Sequence, residues 1–194
     1  MYFTLEILLA TGAALARFLL GLELEPQFND PYLSTSLQDF WGRRWNLMVT
    51  GILRSTVYVP VRCICTLIFG RKWSLVFALL ATFAVSGLMH ELMFYYMSLM
   101  WPNWEVMWFF ALHGICLAVE ISLKKALLST GCKWRLHPLG SGPLTIGFVV
   151  VTGFWLFFPA FGRFDADVRA NEEIVEFAGF VKGVVRNTWV SFRG

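Results

Sequence analysis

The run from Trp73 to Met100, WSLVFALLATFAVSGLMHELMFYYMSLM, decides the fold. It is 28 residues long and carries one full charge, Glu91, next to the titratable His90. About 20 apolar residues in a helix cross the hydrocarbon core of a bilayer, so this stretch spans it with tilt to spare. Working toward the C-terminus, Trp101-Pro102-Asn103-Trp104 reads as a turn with interfacial tryptophans. Trp104 to Leu123 is a second span, interrupted by His113 and Glu120, and Lys124, Lys125, Lys133 and Arg135 follow as a basic loop. Pro143 to Phe161 is a third span of 19 residues with no charge. Toward the N-terminus, Tyr2 to Leu24 is a fourth apolar segment, with Glu6 and Arg17 expected to face protein. Ala14-Leu15-Ala16 looks like a cleavage site, but a signal peptide starts with positive charge and here the first charge is Glu6.

Composition agrees. Apolar residues make up 57% of the 194 and charged ones 15%, against about 25% charged in an ordinary soluble domain. Mean hydropathy is +0.61. A soluble fold of this length cannot hide so much apolar surface, whereas lipid can solvate it. The net charge of +3 is too small to argue for nucleic acid. Its distribution is more telling: between Phe40 and His90 no acidic residue occurs, yet Arg43, Arg44, Arg54, Arg62, Arg71 and Lys72 do. Such a patch beside apolar helices reads as a cytoplasmic face near anionic headgroups or phosphates. Positive-inside counting then puts Gly70-Arg71-Lys72 and the 124–135 loop on the cytoplasmic side, and the 101–103 turn on the other. Cys63, Cys65, Cys116 and Cys132 fit neither a disulfide framework nor a zinc site and read as structural; no metal site is expected.

Glu25 to Gln38 is a polar, turn-rich loop. A helix is expected from Ser36 or Asp39 through Val59, ended by Pro60, with Val61 to Phe69 as a further apolar piece. At 100° per residue Arg43, Asn46, Thr50 and Arg54 fall on one stripe, making this helix amphipathic. In the tail, apolar positions between Ile174 and Phe192 suggest a second amphipathic helix.

Two constellations could carry chemistry. In Ser86-Gly87-Leu88-Met89-His90-Glu91 an ionisable pair sits inside a membrane helix, which is costly and points to function. Imidazole takes a proton near neutral pH, as a general base must. Gly87 shares the face of His90 and admits a close neighbour. The alternative is a buried histidine hydrogen-bonded to another helix. In Ser36 to Asn46, three aromatics accompany Arg43, Arg44 and an amide. The arginines suit phosphates, and Asn46 offers a donor and an acceptor. The alternative there is an interfacial Trp/Arg anchor. His113 and Glu120 share a helix face and read as structural, paired with polar groups such as Arg54; His137 reads as a loop residue. No Gly-rich phosphate loop or G-x-S-x-G elbow occurs.

SLQDFWGRRWN followed by SGLMHE, with TGILRSTVYVPVR between them and WEVMWFFALHGIC and GPLTIGFVVVTGFWLFFP after, resembles the plant wax-synthase branch of the membrane-bound O-acyltransferases over Glu25 to Phe161. The resemblance implies an all-α polytopic transmembrane helical bundle enclosing a tunnel, with 1–24 a membrane helix, 25–161 the acyltransferase domain and 162–194 a polar tail. It implies a multi-pass enzyme of the endoplasmic reticulum membrane that moves a fatty acyl group from acyl-CoA to a long-chain alcohol. No cofactor beyond that co-substrate and no nucleic-acid partner is implied. The family's embedded histidine maps onto His90 and its upstream polar residue onto Asn46, while Arg43 and Arg44 are the candidates for CoA phosphates. Family members are longer, with further membrane helices before this region. Acyl transfer to a sterol, and a shortened non-catalytic paralogue acting with a full-length partner, are the competing readings; a solute pathway through His90, Glu91, His113 and Glu120 lacks the broken repeats it requires. If the chain assembles its site alone, Asn46, Arg54, His90, Glu91, His113 and Glu120 should line one cavity.

Overall fold

In a computed structural model the described residues are 26–98, 100–130 and 138–162, together with Lys182 and scattered positions between 11 and 21. Most of the first apolar segment, the Lys133 to His137 part of the basic loop, Cys132 and all of the proposed 174–192 helix but Lys182 lie outside them.

The chain enters as a loop that closes on Pro31–Leu33, a single 3-10 turn. Helix α1, Leu37–Asp39, follows and runs straight into a π-helical turn, Phe40–Arg44. Ser36 starts it as an N-cap, its Oγ accepting from Asp39 N–H at 3.1 Å. The chain then breaks at Trp45–Asn46. Asn46 takes a left-handed conformation, φ 42°, and its Oδ1 accepts from Val49 N–H at 3.2 Å, capping α2, Leu47–Leu53. A second π-turn, Arg54–Tyr58, leads into α3, Val59–Ser98. Helix α4 is Glu105–Ser129, and α5, Pro138–Thr152, continues through a third π-turn, Gly153–Phe157, into α6, Phe158–Gly162.

The expected single helix from Ser36 to Val59 is therefore two, divided at Asn46. Pro60 does not end the second. A π-turn closes just before it, Val59 N–H bonding Arg54 O, and the wider turn accommodates a ring that lacks an N–H. The break comes instead inside α3 at Gly70, whose φ 78° and ψ 169° suit only glycine. It separates an arm before Gly70 from an arm of 28 residues after it, Arg71 to Ser98, about 42 Å at helical rise.

Among the described residues three helical stretches are long and apolar enough to cross a membrane: Leu47–Ser98, Glu105–Ser129 and Gly140–Ala160. They cover the three C-terminal spans expected from the sequence to within one or two end residues. The core lies between α3, α4 and α6, where Phe83, Phe94, Val106, Phe109, Phe110, Leu117 and Ala160 pack together. Outward-facing apolar side chains such as Leu67 and Trp155, 88% and 82% exposed, suit a lipid surround.

The α3–α4 contact is reciprocal. On each helix a phenylalanine precedes a glycine by one turn: Phe83 and Gly87 on α3, Phe110 and Gly114 on α4. A Cβ on Gly114 would stand 2.9 Å from Phe83 Cβ, and one on Gly87 would stand 3.3 Å from both Phe110 Cβ and Met107 Cα. Phe83 thus fills the space opposite Gly114, Met107 and the Cβ of Phe110 fill that opposite Gly87, and small residues let the backbones approach.

Candidate active site

His90 lies on the long arm of α3, half-buried. Its Nδ1 is 2.7 Å from Ser86 O, one turn back. A carbonyl only accepts, so Nδ1 carries the hydrogen and Nε2 is left with its lone pair. No hydrogen bond joins Nε2 to another described residue. The ring rests on Phe110, 4.6 Å between centroids, with Phe157 at 5.7 Å. An oriented imidazole with an unoccupied Nε2 has the form of a general base.

The neighbouring ionisable groups have other tasks. Glu91, 5% exposed, does not touch the His90 ring; its Oε1 accepts from Met107 N–H at 3.0 Å in the first turn of α4. The N-cap of α4, Trp104, gives no side-chain cap of its own, so a carboxylate from α3 satisfies that end. Glu120 does the same for α1, its Oε2 accepting from Leu37 N–H at 2.9 Å while its Oε1 pairs with Lys124 at 2.6 Å. His113 is wholly buried, its Nδ1 on Phe109 O at 2.8 Å and its Nε2 3.4 Å from Thr152 Oγ1. These three residues hold helices together.

A cavity of about 390 Å³ opens between the π-turns and the two arms of α3. Arg43, Thr50, Arg54, Tyr58 and Arg62 line one side of it, and Leu79, Thr82, Phe83 and Ser86 the other. Arg43 and Arg54 are exposed and make no hydrogen bond or ion pair with another described residue. Arg62 donates to Tyr58 Oη at 3.3 Å, its guanidinium 5.8 Å from that ring's centroid. Trp41 lines the cavity too, and its buried Nε1 finds no acceptor there. Sequence reasoning missed Tyr58 and placed Arg62 only in the basic patch, not at this site. The signal was present, since positions 54, 58 and 62 recur one turn apart on a helix face.

The expectation of one cavity shared by all the polar residues is not met. Arg43, Arg54 and Ser86 reach it. His90 stands one turn beyond Ser86 and outside its lining, Asn46 is turned to cap α2, and Glu91, His113 and Glu120 are engaged elsewhere. Arg44 also faces away: it pairs with Asp39 at 2.9 Å and donates to Asn29 O and Asp30 O at 3.3 and 3.2 Å, fastening the entry loop. No His/Cys/carboxylate group with metal-binding geometry occurs among the described residues.

Comparison with known proteins agrees with the site's motifs. Residues 24–112, which contain both of them, match the family profile described as membrane bound O-acyl transferase. The chain is 50% identical over 186 residues to acyl-CoA–sterol O-acyltransferase 1 of Arabidopsis thaliana, covering 96% of this chain and 53% of that protein. It is 52% identical over 172 residues to the long-chain-alcohol O-fatty-acyltransferase of Simmondsia chinensis, covering 89% of this chain and 48% of that one. It is 48% identical over 182 residues to the probable long-chain-alcohol O-fatty-acyltransferase 9 of Arabidopsis thaliana, covering 94% and 53%. The chain spans about half the length of the curated relatives it matches. No solved structure matches it. A multi-pass helical membrane chain that carries these two motifs and this degree of identity along nearly its whole length belongs to the membrane-bound O-acyltransferase family.

Proposed function

We propose that this chain carries the histidine-bearing part of an acyltransferase of the endoplasmic reticulum membrane that makes wax esters from acyl-CoA and a long-chain alcohol. His90 Nε2 takes the hydroxyl proton as the alcohol oxygen bonds to the thioester carbonyl carbon. The tetrahedral intermediate collapses, the C–S bond breaks, and the CoA thiolate recovers the proton from the imidazolium. Ester and free CoA leave, and His90 returns to its starting form with no covalent acyl-enzyme. Asn46, whose Oδ1 is committed to Val49 N–H, keeps its Nδ2 hydrogens to orient the alcohol or stabilise the oxyanion. Arg43, with Arg54 and Arg62 across from Ser86, holds the CoA phosphates, and Arg44 contributes by keeping the entry loop in place.

The observation that carries this reading is the unoccupied Nε2 of His90, oriented by Ser86 O one turn from a cavity lined with arginines. Relatives named for long-chain alcohols support the acceptor, while a relative named for sterols keeps a second acceptor in view. The test is ester formation by membranes containing this chain, with fatty alcohol and sterol compared. Wax ester in excess is the expected product. Preferential steryl ester makes the chain a sterol acyltransferase. No ester with either acceptor, from inserted protein, refutes a self-sufficient enzyme and favours a chain that acts with a partner.

A further inference from the structure

A base that becomes charged inside a membrane needs something to stabilise that charge. Among the described residues no carboxylate hydrogen-bonds to His90. Glu91, its chain neighbour, is occupied by Met107 N–H, and Glu120 by Leu37 N–H and Lys124. Facing the imidazole instead are two aromatic rings. Phe110 lies 4.6 Å away, the planes 35° apart, and Phe157 lies 5.7 Å away at 67°. Phe110 is 4% exposed, and its Cβ would stand 3.3 Å from a Cβ on Gly87, so this part of α4 packs closely on the α3 turn that precedes His90. A cation within about 6 Å of an aromatic face is attracted to it, most strongly where water is absent.

We propose that Phe110 is a positioning residue that stabilises the imidazolium of His90 through a cation–π contact. The inference rests on His90 as the base. The proton taken from the alcohol then resides on a ring whose charge is spread toward the Phe110 face until the departing thiolate takes it. His113 has a ring at similar range, Phe109 at 4.1 Å, but its Nε2 faces Thr152 in a fully buried position. There the aromatic contact is packing, and Phe109 is the internal control.

Fluorine withdraws charge from an aromatic face while hardly changing the ring's size. Full-length chain carrying Phe, monofluoro-Phe or trifluoro-Phe at position 110, in detergent micelles, is followed by nitrogen NMR of the histidine rings at fixed mildly acidic pH; a His90→Gln chain assigns the signal. The expected result is a stepwise fall in the imidazolium-to-imidazole ratio of His90, reaching about 2- to 30-fold with three fluorines, the range spanned by exposed and desolvated cation–π contacts. The same series at position 109 should leave the His90 ratio unchanged. A flat series at position 110, or equal falls from both positions, overturns the proposal. Where the trifluoro ring does not pack, the monofluoro ring still gives a step or its absence. Ester formation by a His90→Ala chain separates the two levels. If it persists while the NMR series behaves as expected, the assignment of His90 as the base fails and the contact stands. If it is lost while the series is flat, the reading stands and the contact fails.

Discussion

In two adjacent membrane helices a histidine sits with its Nδ1 on the carbonyl four residues earlier, Ser86 for His90 at 2.7 Å and Phe109 for His113 at 2.8 Å. Each ring lies against a phenylalanine. Residue type, tautomer and stacking are shared, and the difference is confined to the far nitrogen and its surroundings. His113 Nε2 meets Thr152 in a site with no exposure, whereas His90 Nε2 has no described partner and its ring is only half-buried. The same contrast separates Arg43 from Arg44. One guanidinium faces a cavity; the next is fixed by Asp39 and two carbonyls. What distinguishes a candidate for chemistry from a structural residue here is which of its atoms is already engaged.

The most direct way to break the comparison is to remove each imidazole. His90→Ala should lower ester formation per inserted molecule by a factor on the order of 10²–10⁴, the usual contribution of a positioned base. His113→Ala should retain most of the rate per folded molecule but lose stability, because a side chain with no exposure leaves a void and its bond to Phe109 O is lost. The checks are product formation normalised to membrane abundance, and a melting curve in detergent. Equal and complete loss of activity in both, at normal abundance and melting temperature, removes the distinction.

The arginine pair should separate along different axes. Arg43→Ala is expected to raise the apparent KM for acyl-CoA by roughly tenfold or more, as loss of a charge-assisted hydrogen bond does, with little change in the KM for the alcohol. Arg43→Lys should rescue only part of this, since lysine lacks the planar fork. Arg44→Ala should act on stability by about 1–3 kcal/mol, the cost of leaving a partly buried partner unsatisfied: Asp39 is only 17% exposed at its side chain. An unchanged acyl-CoA KM in Arg43→Ala returns that residue to the role of interfacial anchor.

Membrane class and three of the spans were legible from length and hydropathy alone, because a bilayer imposes a fixed thickness on any helix that crosses it. The path between Ser36 and Phe69 was not. A stripe of Arg43, Asn46, Thr50 and Arg54 presumes one continuous helix. Yet Asn46 is itself a strong N-cap residue and restarts the chain. Pro60 was read as a terminator because an ordinary α-turn cannot hold it; the π-turn before it was invisible in the pattern, and Gly70 supplied the break. The histidine was legible by type and position, but the partners of Glu91 and Glu120 were not. Both bond backbone N–H groups of other helices, separated by 16 and 83 residues in sequence, and a backbone donor leaves no signature in residue identity.

The smallest expected effect probes what silences His113. With Nδ1–H given to Phe109 O, its Nε2 can only accept, and among the described residues its hydrogen-bond contact is the Thr152 hydroxyl at 3.4 Å. That hydroxyl has a single hydrogen, and Phe148 O lies closer, at 2.7 Å. The hydroxyl therefore donates mainly to the Phe148 carbonyl, and the contact with Nε2 is weak. Thr152→Val keeps the shape and removes the hydroxyl. Side-chain hydrogen bonds between membrane helices average about 0.6 kcal/mol, so the loss should be of that order or less, read as a small fall in melting temperature. Ester formation per folded molecule should not change, because burial rather than Thr152 keeps His113 from exchanging protons with substrate. A large fall in rate at unchanged stability would mean that His113 and Thr152 act together in the chemistry. The contrast between the two histidines would then describe two parts of one proton path instead of a base and a structural residue.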